Sequence, residues 1–337
     1  MVKIGMIGCG AWGKNLLRNF SNLPGCVLLS CCDDNPKLIE KLRPGYPKVE
    51  FTQKSDEIVG NPNLDAVVIA TPPASHFQLC REAISANKDV FVEKPLVLDT
   101  KQGEELVESA EKKKRILMVG HIMEYHAATL KLKEYVDKGE LGRVYYLYST
   151  RVNLGKVRDI ENALWSFAPH DISMILFLLD KEPTSVTATG RCYLQKDKDI
   201  EDVVFMNMHF DDGIMAHVHV SWLDPHKERR LTVVGDKKMA VFDDTRSAEK
   251  IWIYDKGVDA KQDYNTYGEY LSLRFGDVLI PQIPSTEPLK TECQHFIDCV
   301  QNRKRPRSDG KDGLRVSKVL DAAQRSLKMG GSPVKIE

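Results

Sequence analysis

The stretch Lys3-Ile4-Gly5-Met6-Ile7-Gly8-Cys9-Gly10-Ala11-Trp12-Gly13 runs from an apolar strand into a glycine-rich turn. Leu16, Leu17, Phe20 and Leu23 follow at roughly helical spacing, and Pro24-Gly25 closes that segment. Val27 to Cys32 then reads as a buried strand that ends at Asp33. Strand, G-x-G-x-x-G, helix, strand and acidic residue, in that order, make a dinucleotide grip. Gly8 makes the tight turn, Gly10 lets the backbone approach a pyrophosphate, and Gly13 lets the helix lie close to the strand. Ala11 and Trp12 complete the turn, and the helix behind them offers free N–H groups and a positive dipole end to the phosphates. Asp33 falls where a ribose-binding carboxylate is expected, which favours NAD over NADP because it would repel a 2′-phosphate. Asp34 adds to that repulsion and Lys37 opposes it.

The 337 residues balance 48 basic against 48 acidic side chains, so no net field attracts nucleic acid or an anionic membrane, and neither is an expected partner. The cluster Arg303-Lys304-Arg305-Pro306-Arg307 reads as a solvated helix end and turn. No cysteine pair has the C-x-x-C spacing, and Cys9, Cys26, Cys31 and Cys32 lie in or beside apolar strands as small core residues do. No apolar stretch approaches the roughly 18 to 20 residues of a membrane span. The chain enters its first strand at once, so no signal peptide is expected and a reducing cytoplasm is the expected compartment.

Apolar runs at 3–7, 27–32, 66–70, 89–92 and 116–119 alternate with helical patterns. That alternation predicts a doubly wound α/β Rossmann domain with a parallel sheet over residues 1–120. Thr71-Pro72-Pro73 follows the third run, at the carboxyl edge where ligands bind. After residue 120 the pattern predicts a helix over 126–138 and another carrying His170 to Leu179. Strands at 144–153, 184–194, 202–210, 214–222, 229–235, 238–243 and 250–255 accompany them. Residues 121–337 therefore read as an α+β domain on a large, mostly antiparallel open sheet, with closing helices at 287–303 and 314–328. His217 and His219 share one strand face and His209 lies upstream, but no carboxylate or cysteine completes a familiar ligand set, so no metal is expected.

At Phe91-Val92-Glu93-Lys94-Pro95 the chain resembles the glucose-fructose oxidoreductase, inositol dehydrogenase and MocA family. The resemblance extends through Ala70-Thr71-Pro72-Pro73-Ala74-Ser75-His76, Val119-Gly120-His121, Gly139-Glu140-Leu141-Gly142 and Pro169-His170-Asp171. It implies a cofactor lying over the first domain, and a second-domain sheet that walls the active site and makes much of a homo-oligomer contact. Arg151-Val152-Asn153-Leu154-Gly155 and the run from Asn162 to Asp171 look like the UDP-N-acetylglucosamine and UDP-N-acetylglucosaminuronate 3-dehydrogenases, which oxidise a sugar C3 hydroxyl ahead of a transaminase. Inositol-type members carry aspartates four residues before and three after the active-site histidine, where this chain has Ser166 and Ser173.

Lys94 and His170 match the family's catalytic positions. Taking a hydride from a secondary alcohol needs a base for the hydroxyl proton and positive charge beside the developing alkoxide. Lysine starts near pKa ~10.4 and would need a fall of about 3 units, roughly 4 kcal/mol, to serve as a base near neutrality. Histidine starts near ~6.5 and needs almost none. His170 is therefore the expected base and Lys94 the charged donor, although the cationic nicotinamide leaves the reverse assignment open. By the same resemblance Glu93 meets the nicotinamide ribose or orients Lys94, and Thr71, Pro72 and His76 line the adenosine-pyrophosphate side, His76 being read alternatively as a plain helix-start residue. Arg151, Asn153, Arg158, Asn162, Trp165 and Asp171 are the expected substrate contacts, arginine being suited to a diphosphate by its planar fork. Other activities compatible with this pattern are oxidation of a free polyol such as an inositol, an NAD-retaining glycosidase, and a non-catalytic nucleotide sensor.

Overall fold

Period-two alternation in the N-terminal strands sends side chains to both faces of one sheet, and both faces are apolar. The computed structural model describes residues 1–260 and 271–337. In it β1 (Val2–Ile7), β2 (Cys26–Cys32), β3 (Glu50–Thr52), β4 (Ala66–Ile69), β5 (Asp89–Glu93) and β6 (Leu117–Gly120) form a parallel sheet in the order β3-β2-β1-β4-β5-β6. Helices α1 (Gly13–Asn22), α2 (Pro36–Leu42), α3 (Ser55–Val59), α4 (His76–Ser85) and α5 (Thr100–Lys112) connect the strands. Ile4, Met6, Val68, Phe91 and Met118 face one core, whereas Ile7, Val67, Ile69, Val92 and Val119 face another. The strand order reverses between β1 and β4, which puts the glycine turn at the switch point where such sheets bind ligands.

The second sheet has nine strands in the order β14-β13-β12-β11-β7-β10-β9-β8-β15. They are β7 (Val144–Val152), β8 (Ser185–Arg191), β9 (Val203–His209), β10 (Met215–Ser221), β11 (Glu228–Gly235), β12 (Met239–Asp243), β13 (Ile251–Ala260), β14 (Leu271–Leu279) and β15 (Val334–Lys335). All neighbours are antiparallel except β7 and β10. Helix α6 (Ala127–Asp137) precedes this sheet, and α7 (Ala163–Leu179) packs on β7, β9 and β10. The inner face of those strands carries Leu147, Met206, Val218 and Val220, all buried. Their outer face leaves Tyr146, Tyr148 and Phe205 exposed. The expected fold class is the observed one: a Rossmann sheet followed by an α+β part on a large, mostly antiparallel sheet.

Helices α8 (Pro288–Asn302) and α9 (Gly310–Lys328) alter the expected partition at residue 120. Two compact units result, one of Met1–Tyr125 with Thr286–Asp321 and the other of His126–Ser285 with Ala322–Glu337. Residues 121–337 are thus not a single unit, because the chain returns to the first one. The cause is the stripe Leu289, Cys293, Phe296, Ile297 and Val300 on α8, which completes the core beneath α1. Phe296 meets Phe20 and Phe91 edge-on, at centroid separations of 6.3 and 5.7 Å.

Candidate active site

The three glycines of the first turn differ in what a side chain would meet. Gly8 has φ +93°, and a Cβ there would lie 2.7 Å from the carbonyl carbon of Ala70 and 2.9 Å from the amide nitrogen of Thr71. At Gly13 a Cβ would lie 2.2 Å from the Gly8 carbonyl oxygen, whereas at Gly10 it would meet open space. Gly8 and Gly13 are therefore fixed by the protein's own packing, and Gly10 leaves the backbone bare for an incoming phosphate. Among the described residues, no side-chain hydrogen bond caps α1 at Trp12, and its first amides and positive dipole end suit an anion. Asp33 is held in place by two amides, accepting from Cys9 N at 2.7 Å and from Asn35 N at 3.0 Å. Each carboxylate oxygen retains lone-pair capacity for a ribose hydroxyl. This cradle fits a dinucleotide.

Trp12 reaches across from the turn and donates its indole N–H to Glu93 Oε1 at the end of β5. The second oxygen, Oε2, accepts from Lys94 N at 3.2 Å. Burial pushes the Glu93 carboxyl up to about 7, against the Trp12 bond and the nearby Lys94 charge. Lys94 thus leaves the parallel sheet at its carboxyl edge, with its backbone tied to the residue that holds the glycine turn. Thr71 and Pro72 sit at the same edge, after β4, and Thr71 Oγ1 accepts from Ser75 Oγ at 2.7 Å.

His76 does not line a ligand surface as expected. Its ring is fully buried, with Nδ1 2.8 Å from the Pro95 carbonyl oxygen and Nε2 2.9 Å from that of Thr71. Burial holds its pKa below the usual imidazole value.

In the second unit His170 occupies the middle of α7. The neighbouring Asp171 is buried, and Arg151 on β7 grips it through Nε at 2.6 Å and Nη2 at 3.2 Å. Ser149 Oγ donates to the same carboxylate. Arg151 and Asp171 are 7% and 1% exposed, so neither is presented to a substrate, and the guanidinium fork expected on a diphosphate is closed on a carboxylate instead. Asn162 is likewise a structural residue. It caps α7 by accepting from Trp165 N at 3.1 Å and donates to Glu201 and Gln324. Trp165 donates its indole N–H to Gln324 Oε1 at 3.0 Å and stays partly exposed. Asn153 and Arg158 follow β7, Arg158 exposed and 3.7 Å from Glu161. Of the six expected substrate contacts, Asn153, Arg158 and Trp165 keep accessible surface. His217 and His219 stack on Phe205, and His217 Nδ1 lies 2.9 Å from Asn207 Oδ1.

A buried ionic cluster lies at the end of β6. His121 Nδ1 is 2.8 Å from Asp312 Oδ2 and 3.4 Å from Glu124 Oε1, while Arg315 pairs with Asp312. Burial opposes the His121 charge, but the two carboxylates outweigh it and hold the imidazole up at about 9. Burial likewise opposes the Asp312 charge, and His121 with its neighbours holds that carboxyl down at about 2. His121, Glu124 and Asp312 could geometrically hold an ion, yet two cations already face two carboxylates. Burial and the Asp312 charge push the Glu124 carboxyl up to about 8, and the cluster joins the end of β6 to α9.

Comparison with known proteins fixes the family. A model of the oxidoreductase family with an NAD-binding Rossmann fold matches residues 2–121, and one of the GFO/IDH/MocA C-terminal domain matches residues 129–241. The chain belongs to the GFO/IDH/MocA family. Among its relatives, the scyllo-inositol 2-dehydrogenase (NAD(+)) of Bacillus subtilis is 25% identical over 100% of this chain and 96% of its own length. The UDP-N-acetylglucosamine 3-dehydrogenase of Acidithiobacillus ferrooxidans is 28% identical over 53% of this chain and 56% of its own. A solved structure of that enzyme superposes with TM-score 0.80, covering 97% of this chain and 98% of that one at 22% identity, a likeness of fold. This GFO/IDH/MocA chain is an NAD-binding oxidoreductase.

Proposed function

We propose that the chain oxidises a secondary hydroxyl of a sugar, with Lys94 and His170 acting on that hydroxyl and NAD receiving the hydride. The observation that carries this reading is the seat of Lys94, which follows Glu93 at the carboxyl edge of the sheet, where Glu93 accepts from Trp12 of the glycine turn. When bound, NAD accepts the hydride from the carbinol carbon. His170 takes the hydroxyl proton, and the Lys94 ammonium donates to the oxygen as negative charge develops on it. Lys94→Ala and His170→Ala are each expected to lower turnover by about 10²–10⁴-fold while NAD still binds. Turnover within about threefold of wild type in both would overturn the assignment.

The specific substrate we propose is a UDP-linked N-acetyl amino sugar, oxidised at C3 before a transamination. The relative at 28% identity supports it, and so does exposed Arg158, with Asn153 and Trp165 nearby in sequence. A free polyol is the second reading, favoured by the closure of Arg151 on Asp171. NADH formation at the nicotinamide absorbance band, with UDP-N-acetylglucosamine against scyllo-inositol, separates the two. Competition by UDP alone is expected only for the first. Self-association through the second sheet belongs to the same proposal, supported by the exposed Tyr146, Tyr148 and Phe205 on its outer face.

A further inference from the structure

His76 is a fully buried, titratable side chain that the proposed chemistry does not use. It opens α4, and each of its ring nitrogens faces a backbone carbonyl oxygen, that of Thr71 on one side and that of Pro95 on the other. Both acceptors lie beside functional elements. The amide nitrogen of Thr71 sits under Gly8, close enough that a Cβ on the glycine would come within 2.9 Å of it. The carbonyl of Pro95 is one residue beyond Lys94. Proline has no N–H with which to anchor this segment, so the carbonyl is the polar handle that its backbone offers. On the other side of the lysine, Lys94 N is fixed by Glu93 Oε2.

We infer that His76 is a positioning residue for Lys94: its ring clamps the backbone just after the lysine to the turn that supports Gly8. The inference rests on the reading of Lys94 given above. It runs through a continuous path from Gly8 to Thr71, through the imidazole to Pro95, and so to Lys94. A displacement of about 1 Å in a reacting group can cost about 10²-fold in rate, so a small release of this clamp is visible in kcat. A carbonyl can only accept, and a neutral imidazole carries one N–H. The two bonds therefore cannot both be full while the ring is neutral, and the Pro95 bond is the one that holds the lysine.

Three substitutions separate positioning from plain structural support. In His76→Asn the amide nitrogen takes the place of Nδ1 and keeps the bond to Pro95. In His76→Gln it takes the place of Nε2 and keeps the bond to Thr71. His76→Leu keeps neither. The expected order of kcat is wild type, then Asn within about threefold, then Gln and Leu lower by about tenfold or more. Asn and Gln should be similar in thermal stability, since each keeps one donor on one of the two carbonyls, as the neutral ring does. In a Lys94→Met background, His76→Gln should lower the residual rate no further. The same order is read without any substrate from the carbon-13 resonance of reductively methylated Lys94, assigned with Lys94→Met. Wild type and His76→Asn should share its position, and His76→Gln should shift or split it. Equal kcat and equal resonances for Asn and Gln, or an equal loss with and without Lys94, would show a structural role only. Full turnover in Lys94→Met alone would instead remove the reading of Lys94 on which the clamp depends.

Discussion

Glu93 illustrates how much one buried side chain settles in this protein. Its carboxyl holds the glycine turn through Trp12 and the lysine backbone through Lys94 N, yet burial keeps it protonated up to about pH 7. A carboxyl whose folded pKa is raised binds a proton in the folded chain over a pH range where the unfolded chain has lost it. Its stabilising effect is therefore complete below about 4.5 and is lost as pH rises through 7. That loss is roughly 3 kcal/mol, and Glu93→Gln should remove most of it. Urea unfolding from pH 5 to pH 8 is expected to show a flatter stability profile in the variant than in wild type. Parallel profiles would mean that Glu93 is ionised throughout. Gly8 and Gly13 are legible in the sequence because their close packing admits no side chain, whereas Lys94 stands out only through the family resemblance at Glu93-Lys94-Pro95. Arg151, Asn162 and Asp171 are not legible in the same way. An arginine that grips a buried carboxylate twenty residues away looks identical, in sequence, to one that waits for a diphosphate.

Among the elements, α7 shows where periodicity fails and what replaces it. The run from His170 to Leu179 is apolar enough to be read as helix, but the helix begins at Ala163, capped by Asn162, and passes through Pro169. Proline inside a helix ordinarily signals an end, which hides the first turns. Strand β3 has three residues and β15 two, too short for an alternation to be detected. Besides its buried apolar residues, α7 is tied to β7 by the Arg151–Asp171 pair together with Ser149. Removing one partner of a buried pair strands the other charge, at a cost of about 3–5 kcal/mol. Asp171→Ala should therefore lower the urea midpoint strongly, and Arg151→Ala should do the same. If Arg151→Ala instead raised KM for the substrate and left the unfolding midpoint unchanged, the arginine would be a substrate ligand after all. The pair on β6 and α9 behaves in the same manner. His121 contributes stability that is lost as pH rises through about 9, and Asp312 stability that is lost as pH falls through about 2, so the link holds across the neutral range.

At the level of the whole chain, the first unit is assembled from two separate stretches, and its core cannot be closed by the N-terminal one alone. Phe20 from α1 and Phe91 from β5 pack edge-on against each other and against Phe296, which arrives on α8 about two hundred residues later in the sequence. Arg303, just past α8, adds a bidentate pair with buried Asp89 at the start of β5, with Nη1 at 2.6 Å from one carboxylate oxygen and Nη2 at 3.1 Å from the other. His121, Glu124 and Asp312 then join the last strand to α9. A domain boundary read from the change of pattern near residue 120 misses this return, because nothing local in α8 says which core its apolar stripe serves. A polypeptide ending at Tyr125 would expose the faces of Phe20 and Phe91 and leave Asp89 without Arg303 and His121 without Asp312. It is expected to lack a cooperative thermal transition and to bind NAD poorly, even though it contains every residue of the glycine grip. Residues 1–125 joined by a flexible linker to 286–321 should recover both the transition and NAD binding, measured by calorimetry and by quenching of Trp12 fluorescence. Within that joined polypeptide Phe296→Ala, which removes a buried aromatic side chain, should cost about 3–5 kcal/mol. Cooperative melting and NAD binding by residues 1–125 alone would show instead that the returning helices are accessory, and that the grip folds on its own sheet.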